Sequence, residues 1–175
     1  PPRTPDAGSL FREHAPRVAR WASLLGGPSV DAEDVVQEVF LTVQRHLPSF
    51  RGESRVTTWL YRITANAVRH RRRRERVRRL FGGGSSEHAE RVASSRPTPV
   101  EELERRQTAA LVYRVLDRLG DKQRTALILF ELEGLSGQEI AERMGESLAN
   151  VWVLLHRARD RFAVELDRIE RAGED

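Results

Sequence analysis

Apolar residues in this chain return every three or four positions, and nowhere do they alternate with polar ones for the length of a strand. The spacing predicts helices over about Ser9–Leu25 and Asp31–Leu47, and a third from Ser54 or Thr57 into a run of arginines. Four more follow over about Val100–Leu119, Lys122–Glu133, Ser136–Met144 and Ser147–Ile169. Gly26-Gly27-Pro28, Pro48, Gly120, Gly134 and Gly145 punctuate them, and Ser136 with Glu139 forms the Ser-x-x-Glu capping pattern. Val36, Val39, Phe40 and Val43 make a core stripe on the second helix. Ile140 with Ala141, and Val151, Leu155, Ala158, Phe162 and Leu166, make the apolar faces of the last two. Residues 82–99 lack periodicity and are rich in Gly, Ser and Pro, which reads as a flexible tether. The expected fold is therefore all-α: a helical domain over 8–80, a linker over 81–99 and a second helical domain over 100–170. No internal repeat is visible.

Charge sharpens this picture. The 175 residues carry a net charge of +4, but residues 51–80 alone hold 11 Arg against 2 Glu. A basic segment this concentrated is the footprint of a surface meeting phosphate. Arg71, Arg72, Arg73 and Arg74 are consecutive, so at about 100° per residue they cover most of the helix circumference. Trp59, Tyr61 and Asn66 lie just upstream, and aromatics beside such a tract suit base stacking on single strands. The same aromatics could instead belong to the core, and the arginines could serve only solubility. Lys122 is the only lysine.

Enzyme readings find no support. There is no cysteine, and the five histidines are scattered, so no metal-ligand spacing is present. Gly82-Gly83-Gly84 is not followed by the Gly-Lys-Ser/Thr of a phosphate-binding loop, and no Gly-x-Ser-x-Gly elbow occurs. No apolar run is long enough to span a membrane, and a reducing cytoplasm suits a cysteine-free chain. The chain opens on Pro-Pro-Arg-Thr-Pro, with no apolar signal segment and no initiator Met, so further upstream residues are expected.

Two other constellations stand out. On the second helix, Asp34, Gln37, Glu38 and Leu41 share a face away from the core stripe, and acidic and amide groups around an exposed Leu suit a partner helix carrying arginines. A plain solvated face has the same pattern. Ser136–Met144 and Ser147–Ile169, joined through Gly145-Glu146, have helix-turn-helix form, in which the second helix enters the major groove by its N-terminal half. Its outward candidates are Asn150, Trp152, Val153, Leu154, His156 and Arg157; a structural hairpin is the alternative.

These residues carry a resemblance. Asp31-Ala-Glu-Asp-Val-Val-Gln-Glu-Val-Phe40, Phe50-Arg-Gly-Glu-Ser54, Thr58-Trp-Leu-Tyr-Arg-Ile63 and Asn66 resemble the first domain of bacterial sigma factors of the two-domain, extracytoplasmic-function group. Leu116-Asp-Arg-Leu119, Glu131-Leu-Glu-Gly-Leu-Ser136, Glu139-Ile-Ala-Glu142 and Leu155-His-Arg-Ala-Arg159 resemble the second domain. The resemblance covers about residues 8–80 and 100–166. It implies a non-enzymatic protein that binds core RNA polymerase and directs promoter recognition and opening, with no metal, cofactor or small-molecule substrate. By the same analogy Asp34, Gln37, Glu38 and Leu41 dock on the clamp helices of the polymerase's largest subunit. Phe50, Trp59 and Asn66 handle the minus-ten element, where a non-template base is flipped into a pocket, with Arg62, Arg69, Arg71, Arg72 and Arg73 on the backbone. Ser136, Asn150, Trp152, Val153, His156, Arg157 and Arg159 fall at the minus-thirty-five element. The polymerase flap region, promoter DNA and an anti-sigma factor are the implied partners. A monomer is expected when free, since no heptad seam is present.

One stretch departs from the family pattern. Trp152-Val153-Leu154 stands where basic or hydroxyl residues are usual. Apolar groups contact thymine methyls but cannot make the bidentate contact to guanine. Weaker, shape-based or thymine-biased recognition is one expectation; a protein-facing patch is another. A helix-turn-helix regulator that does not engage polymerase, and a sigma-like protein whose recognition helix binds a protein, are the alternative readings.

Overall fold

The computed structural model describes residues 6–81 and 99–172. All regular structure among the described residues is helical, as the periodicity predicts. The chain divides into two compact units, Pro1–Ala89 and Glu90–Asp175. The expected linker lies outside the described residues except at its two ends.

In the first unit, α1 (Ala7–Gly26), α2 (Ala32–His46) and α3 (Val56–Leu80) pack against one another in every pairing. Local chemistry sets their starts. The Asp6 carboxylate accepts the Ser9 amide at 2.8 Å, and Asp31 accepts the amides of Glu33 and Asp34 at 2.8 and 3.1 Å. At the α1 exit, a Cβ on Gly26 would come within 2.6 Å of Val30 Cβ, so only glycine lets the chain turn that tightly. Leu10, Val18, Trp21 and Leu25 of α1 meet Val35, Val39 and Val43 of α2 and Leu60, Tyr61 and Val68 of α3 in the core. Trp21 sits edge-on to Tyr61 at 5.4 Å. Truncating a fully buried Trp costs about 3–5 kcal/mol, so Trp21 is the keystone of this unit. The core stripe of α2 differs by one residue from the sequence reading. Val35 is fully buried and Val36 is only half-buried, because Val35, Val39 and Val43 stack at i, i+4, i+8 toward α1 and α3. Burial on α3 stops at Val68; the remaining turns, which hold most of the arginines, are exposed or half-exposed.

In the second unit, α5 (Asp121–Glu131), α6 (Gly137–Met144) and α7 (Leu148–Arg171) pack on one another, and α4 (Pro99–Leu116) lies against α7. The capping box forms: Ser136 accepts the Glu139 amide while Glu139 accepts the Ser136 amide at 3.0 Å. Gly145 adopts φ 67°, the left-handed conformation that ends α6, and Ser147 caps α7 by accepting the Asn150 amide at 3.1 Å. Ile140, Ala141, Val151, Leu155 and Ala158 are buried as expected, while Phe162 and Leu166 are half-buried. Two buried charges were not anticipated. Arg124 lies 3.6 Å from Asp117 and over the Tyr113 ring at 5.9 Å, and Glu165 lies within 4 Å of Arg161 and Arg168. Burial pushes the Tyr113 hydroxyl above its ordinary range, against the nearby Arg124 charge, which pulls it down.

Candidate nucleic-acid interface

Helical geometry sorts the residues of α3 into two opposite faces. Trp59, Arg62, Asn66, Arg69 and Arg73 fall within a stripe about 80° wide, about 21 Å long. The four polar members are exposed and Trp59 is half-exposed. Arg69 donates to Asn66 Oδ1 at 3.4 Å along this stripe, so the Asn66 amide group is turned by a neighbour on its own face. At its foot Phe50 stacks on Trp59 with ring centroids 4.7 Å apart and 28° between planes. The two rings line an open cavity of about 470 Å³ with His46, Ser49, Arg51, Glu53 and Ser54. That volume lies within the range of small-ligand sites. A planar group entering it meets aromatic faces, two hydroxyls, an imidazole, one arginine and one carboxylate.

Arg71 is not on this stripe. It lies about 160° round the helix from Arg73, and its guanidinium reaches across to α2. It donates to Asp34 Oδ2 and Glu38 Oε2, both at 3.0 Å, and to the Asp34 carbonyl at 3.3 Å. Burial lowers the Arg71 pKa, but the bonds to Asp34 and Glu38 outweigh it and hold the group above its ordinary value. The sequence grouped Arg71 with the DNA-facing arginines; the structure spends it on the acidic face. Its position on the helical wheel was the signal available, since it opposes Trp59 and Asn66. Arg72 is half-buried and stands off the stripe as well.

Asp34, Gln37, Glu38 and Leu41 do share one face of α2, with Leu41 55% exposed. The two carboxylates that the sequence offered to a partner's arginines already hold one arginine of this chain.

On α7 the named residues separate in the same way. Val153, His156 and Arg157 form the exposed crest. Trp152 lies on one flank, edge-on to Phe130 at 5.9 Å, and covers the start of α6: a Cβ on Gly137 would come within 2.8 Å of the Trp152 ring. Trp152 is thus half-seated in its own unit rather than standing clear of it. Arg159 lies on that flank too, bonded to Glu131 at 2.7 Å and 5.0 Å over the Phe130 ring. His156 stands 3.6 Å from Asp160. Leu154 is half-buried rather than outward. Ser136 is occupied by the capping box, its hydroxyl donating to Glu139 at 2.8 Å. Asn150 lies on the other flank and donates to Glu146 Oε2 at 2.6 Å, while Lys122 pairs with Glu146 Oε1 at 2.6 Å. The four-residue spacing of Glu146 and Asn150 was the signal available for the first of these contacts; nothing in the spacing pointed to Lys122. Among the described residues no cluster of His, Asp and Glu could hold a metal ion, and no helix is long and apolar enough to cross a membrane.

Comparison with known proteins agrees with this architecture. The family model Sigma-70 region 2 matches residues 10–78 and Sigma-70, region 4 matches 100–162. The chain is 34% identical to the RNA polymerase sigma factor NccH of Alcaligenes xylosoxydans xylosoxydans over 160 residues, covering 91% of this chain and 86% of that one. It is 34% identical to the ECF RNA polymerase sigma-E factor of Escherichia coli K12 over 138 residues, covering 76% and 72%. The solved structure of CnrH in complex with the cytosolic domain of CnrY superposes with a TM-score of 0.59 at 26% identity, covering 93% of this chain and 88% of that one. The chain belongs to the sigma-70 family, in its two-domain extracytoplasmic-function group. Its function is that of this family: it binds core RNA polymerase and recognises promoters in transcription initiation. Such proteins act by binding, not by catalysis.

Proposed function

We propose that the opposite faces of α3 divide the work of the first unit. The stripe Trp59–Arg62–Asn66–Arg69–Arg73 tracks the non-template strand of the minus-ten element. Phosphates of an unstacked strand lie roughly twice the duplex rise of about 3.4 Å apart, so its length of about 21 Å spans roughly three of them, one for each arginine of the stripe. One base leaves the stack and enters the Phe50–Trp59 cavity. Unstacking costs a few kcal/mol, and stacking on an aromatic returns about 1–3 kcal/mol per base. Binding energy then drives opening, and the polymerase carries out all bond chemistry. The observation that carries this reading is the separation on α3 itself: Arg62, Arg69 and Arg73 share one stripe with the stacked Trp59, while Arg71 turns the other way.

Asp34, Gln37, Glu38 and Leu41 dock on the clamp helices of the largest subunit. Arg71 holds the two carboxylates in one geometry beforehand, so docking orders fewer side chains. The second unit takes the flap region and the minus-thirty-five element. Its α7 crest offers Val153 to thymine methyls and His156 and Arg157 to phosphate. An anti-sigma factor is a further partner; CnrH, which this chain resembles, was solved with a cytosolic protein domain bound. The free protein is a cytoplasmic monomer without enzymatic activity.

Abortive transcription with purified core polymerase tests the reading. Start-site-specific products are expected only when the protein is present. Leu41→Asp, at the centre of the docking face, is expected to weaken core binding by about 2 kcal/mol or more, roughly thirtyfold. Products that persist with Leu41→Asp at unchanged core affinity would refute the docking assignment.

A further inference from the structure

The first turn of α7, Leu148–Val151, contains a single side chain able to hydrogen-bond, that of Asn150. In a helix-turn-helix this turn is the part of the recognition helix nearest the base edges. The Asn150 side chain is also fixed. Its amide nitrogen donates to Glu146 Oε2 at 2.6 Å, and the other Glu146 oxygen is held by Lys122 Nζ at 2.6 Å. A carboxylate only accepts, so it must face the NH₂ end of the amide, and the orientation is set by chemistry. The Asn150 backbone is held in turn by the Ser147 cap. Glu146 is kept ionised, its pKa drawn down first by Lys122 and then by Asn150.

What remains on Asn150 is one acceptor, Oδ1, and one N–H. Adenine presents the complementary pair in the major groove, the N6 donor beside the N7 acceptor. Guanine presents two acceptors, which this pose answers with one donor and a repelling carbonyl. Val153 on the crest beside it has only methyl groups to offer.

We propose that Lys122 and Glu146 are positioning residues that hold the Asn150 amide to read one adenine of the upstream promoter element. The proposal rests on the placement of α7 in the major groove and deepens it by assigning a base. It also gives the lone lysine of the chain a place in specificity although it stands outside the helix-turn-helix.

The test is transcription by core polymerase with the full chain, from promoters randomised in the upstream element, with product sequences counted. The native protein is expected to enrich adenine at one position. Asn150→Ala should lower that preference about tenfold or more and leave other positions unchanged. Glu146→Leu should do nearly the same without touching Asn150. Glu146→Gln, which keeps an acceptor for the amide, should retain most of it. Lys122→Met should lower it a few-fold. Circular dichroism and melting of each variant report whether it folds. Upstream selection that survives Asn150→Ala unchanged overturns the adenine assignment while leaving α7 in the groove. Uniform weakening at every position with Glu146→Leu also overturns it, since a purely structural clasp behaves that way. If the native protein selects no upstream base, the groove placement falls and the assignment falls with it.

Discussion

The two long helices, α3 and α7, offer nucleic acid opposite kinds of surface. On α3 the arginines at 62, 69 and 73 are exposed in register beside the Phe50–Trp59 stack at one end, with Val77 and Leu80 exposed at the other. On α7 the crest carries Val153 beside His156 and Arg157, while several arginines are committed inside their own unit. Arg159 goes to Glu131, Arg161 and Arg168 to Glu165, and Arg171 to Asp167. Counting arginines would rate both helices as phosphate binders. Counting where the guanidinium groups end gives a strand-holding surface on one and a shape-and-methyl surface on the other.

The largest effect that separates them is expected at the aromatic foot of α3. Trp59→Ala removes the stack on Phe50 and should cost about 1–3 kcal/mol in holoenzyme affinity for forked DNA. Duplex lacking the fork should be bound as before, and an equal loss on both templates would place Trp59 outside the strand path. On the α7 side, Gly137→Ala drives a methyl into the Trp152 ring and should lower the stability of the second unit by about 1–3 kcal/mol. Adding Trp152→Ala should relieve much of that cost in a thermal-melting cycle. If no coupling is found, Trp152 does not seat on α6 in solution.

Salt dependence compares the helices directly. Replacing Arg62, Arg69 and Arg73 together by Gln should reduce the salt slope for forked-DNA binding by about 2, taking roughly 0.7 per single-strand phosphate. Arg71→Gln should leave that slope alone and lower core affinity instead, because its partners are Asp34 and Glu38. Arg159→Gln should likewise leave the slope unchanged, since its guanidinium is spent on Glu131. A slope change with Arg71→Gln equal to that of Arg73→Gln would dissolve the two-face description of α3.

The smallest effect is with pH. The Glu146 carboxyl is held below its unfolded value of 4.5, so the folded state binds that proton less tightly. Its contribution is complete above the unfolded value and is lost as pH falls through the lower, folded one. Tyr113 works from the other end. Burial raises its pKa above 10.0, so its contribution is complete below that value and declines as pH climbs through the folded one. Glu146→Gln should flatten the acid limb of a melting-temperature profile, and Tyr113→Phe the alkaline limb.

Much of this was legible in the chain. The seven α-helices of the described residues, the Ser136–Glu139 box, the left-handed exit at Gly145 and the acidic face of α2 all follow from neighbours within four residues. Helical periodicity and capping are local, so the sequence alone determined them. It also determined the family, because the motifs of both domains occur in order. The misplaced core residue of α2, Val36 for Val35, is an error of a single position around a helix whose buried side was otherwise identified. The commitments of the charged side chains were decided only by the tertiary structure. Arg71 meets Asp34 across 37 residues, Arg159 meets Glu131 across 28, and Lys122 reaches Glu146 from another helix. A guanidinium carries the same charge whether it faces solvent or a carboxylate of its own chain. Which of these it does depends on which helix packs opposite, and that is fixed by the core beneath rather than by the residues beside it.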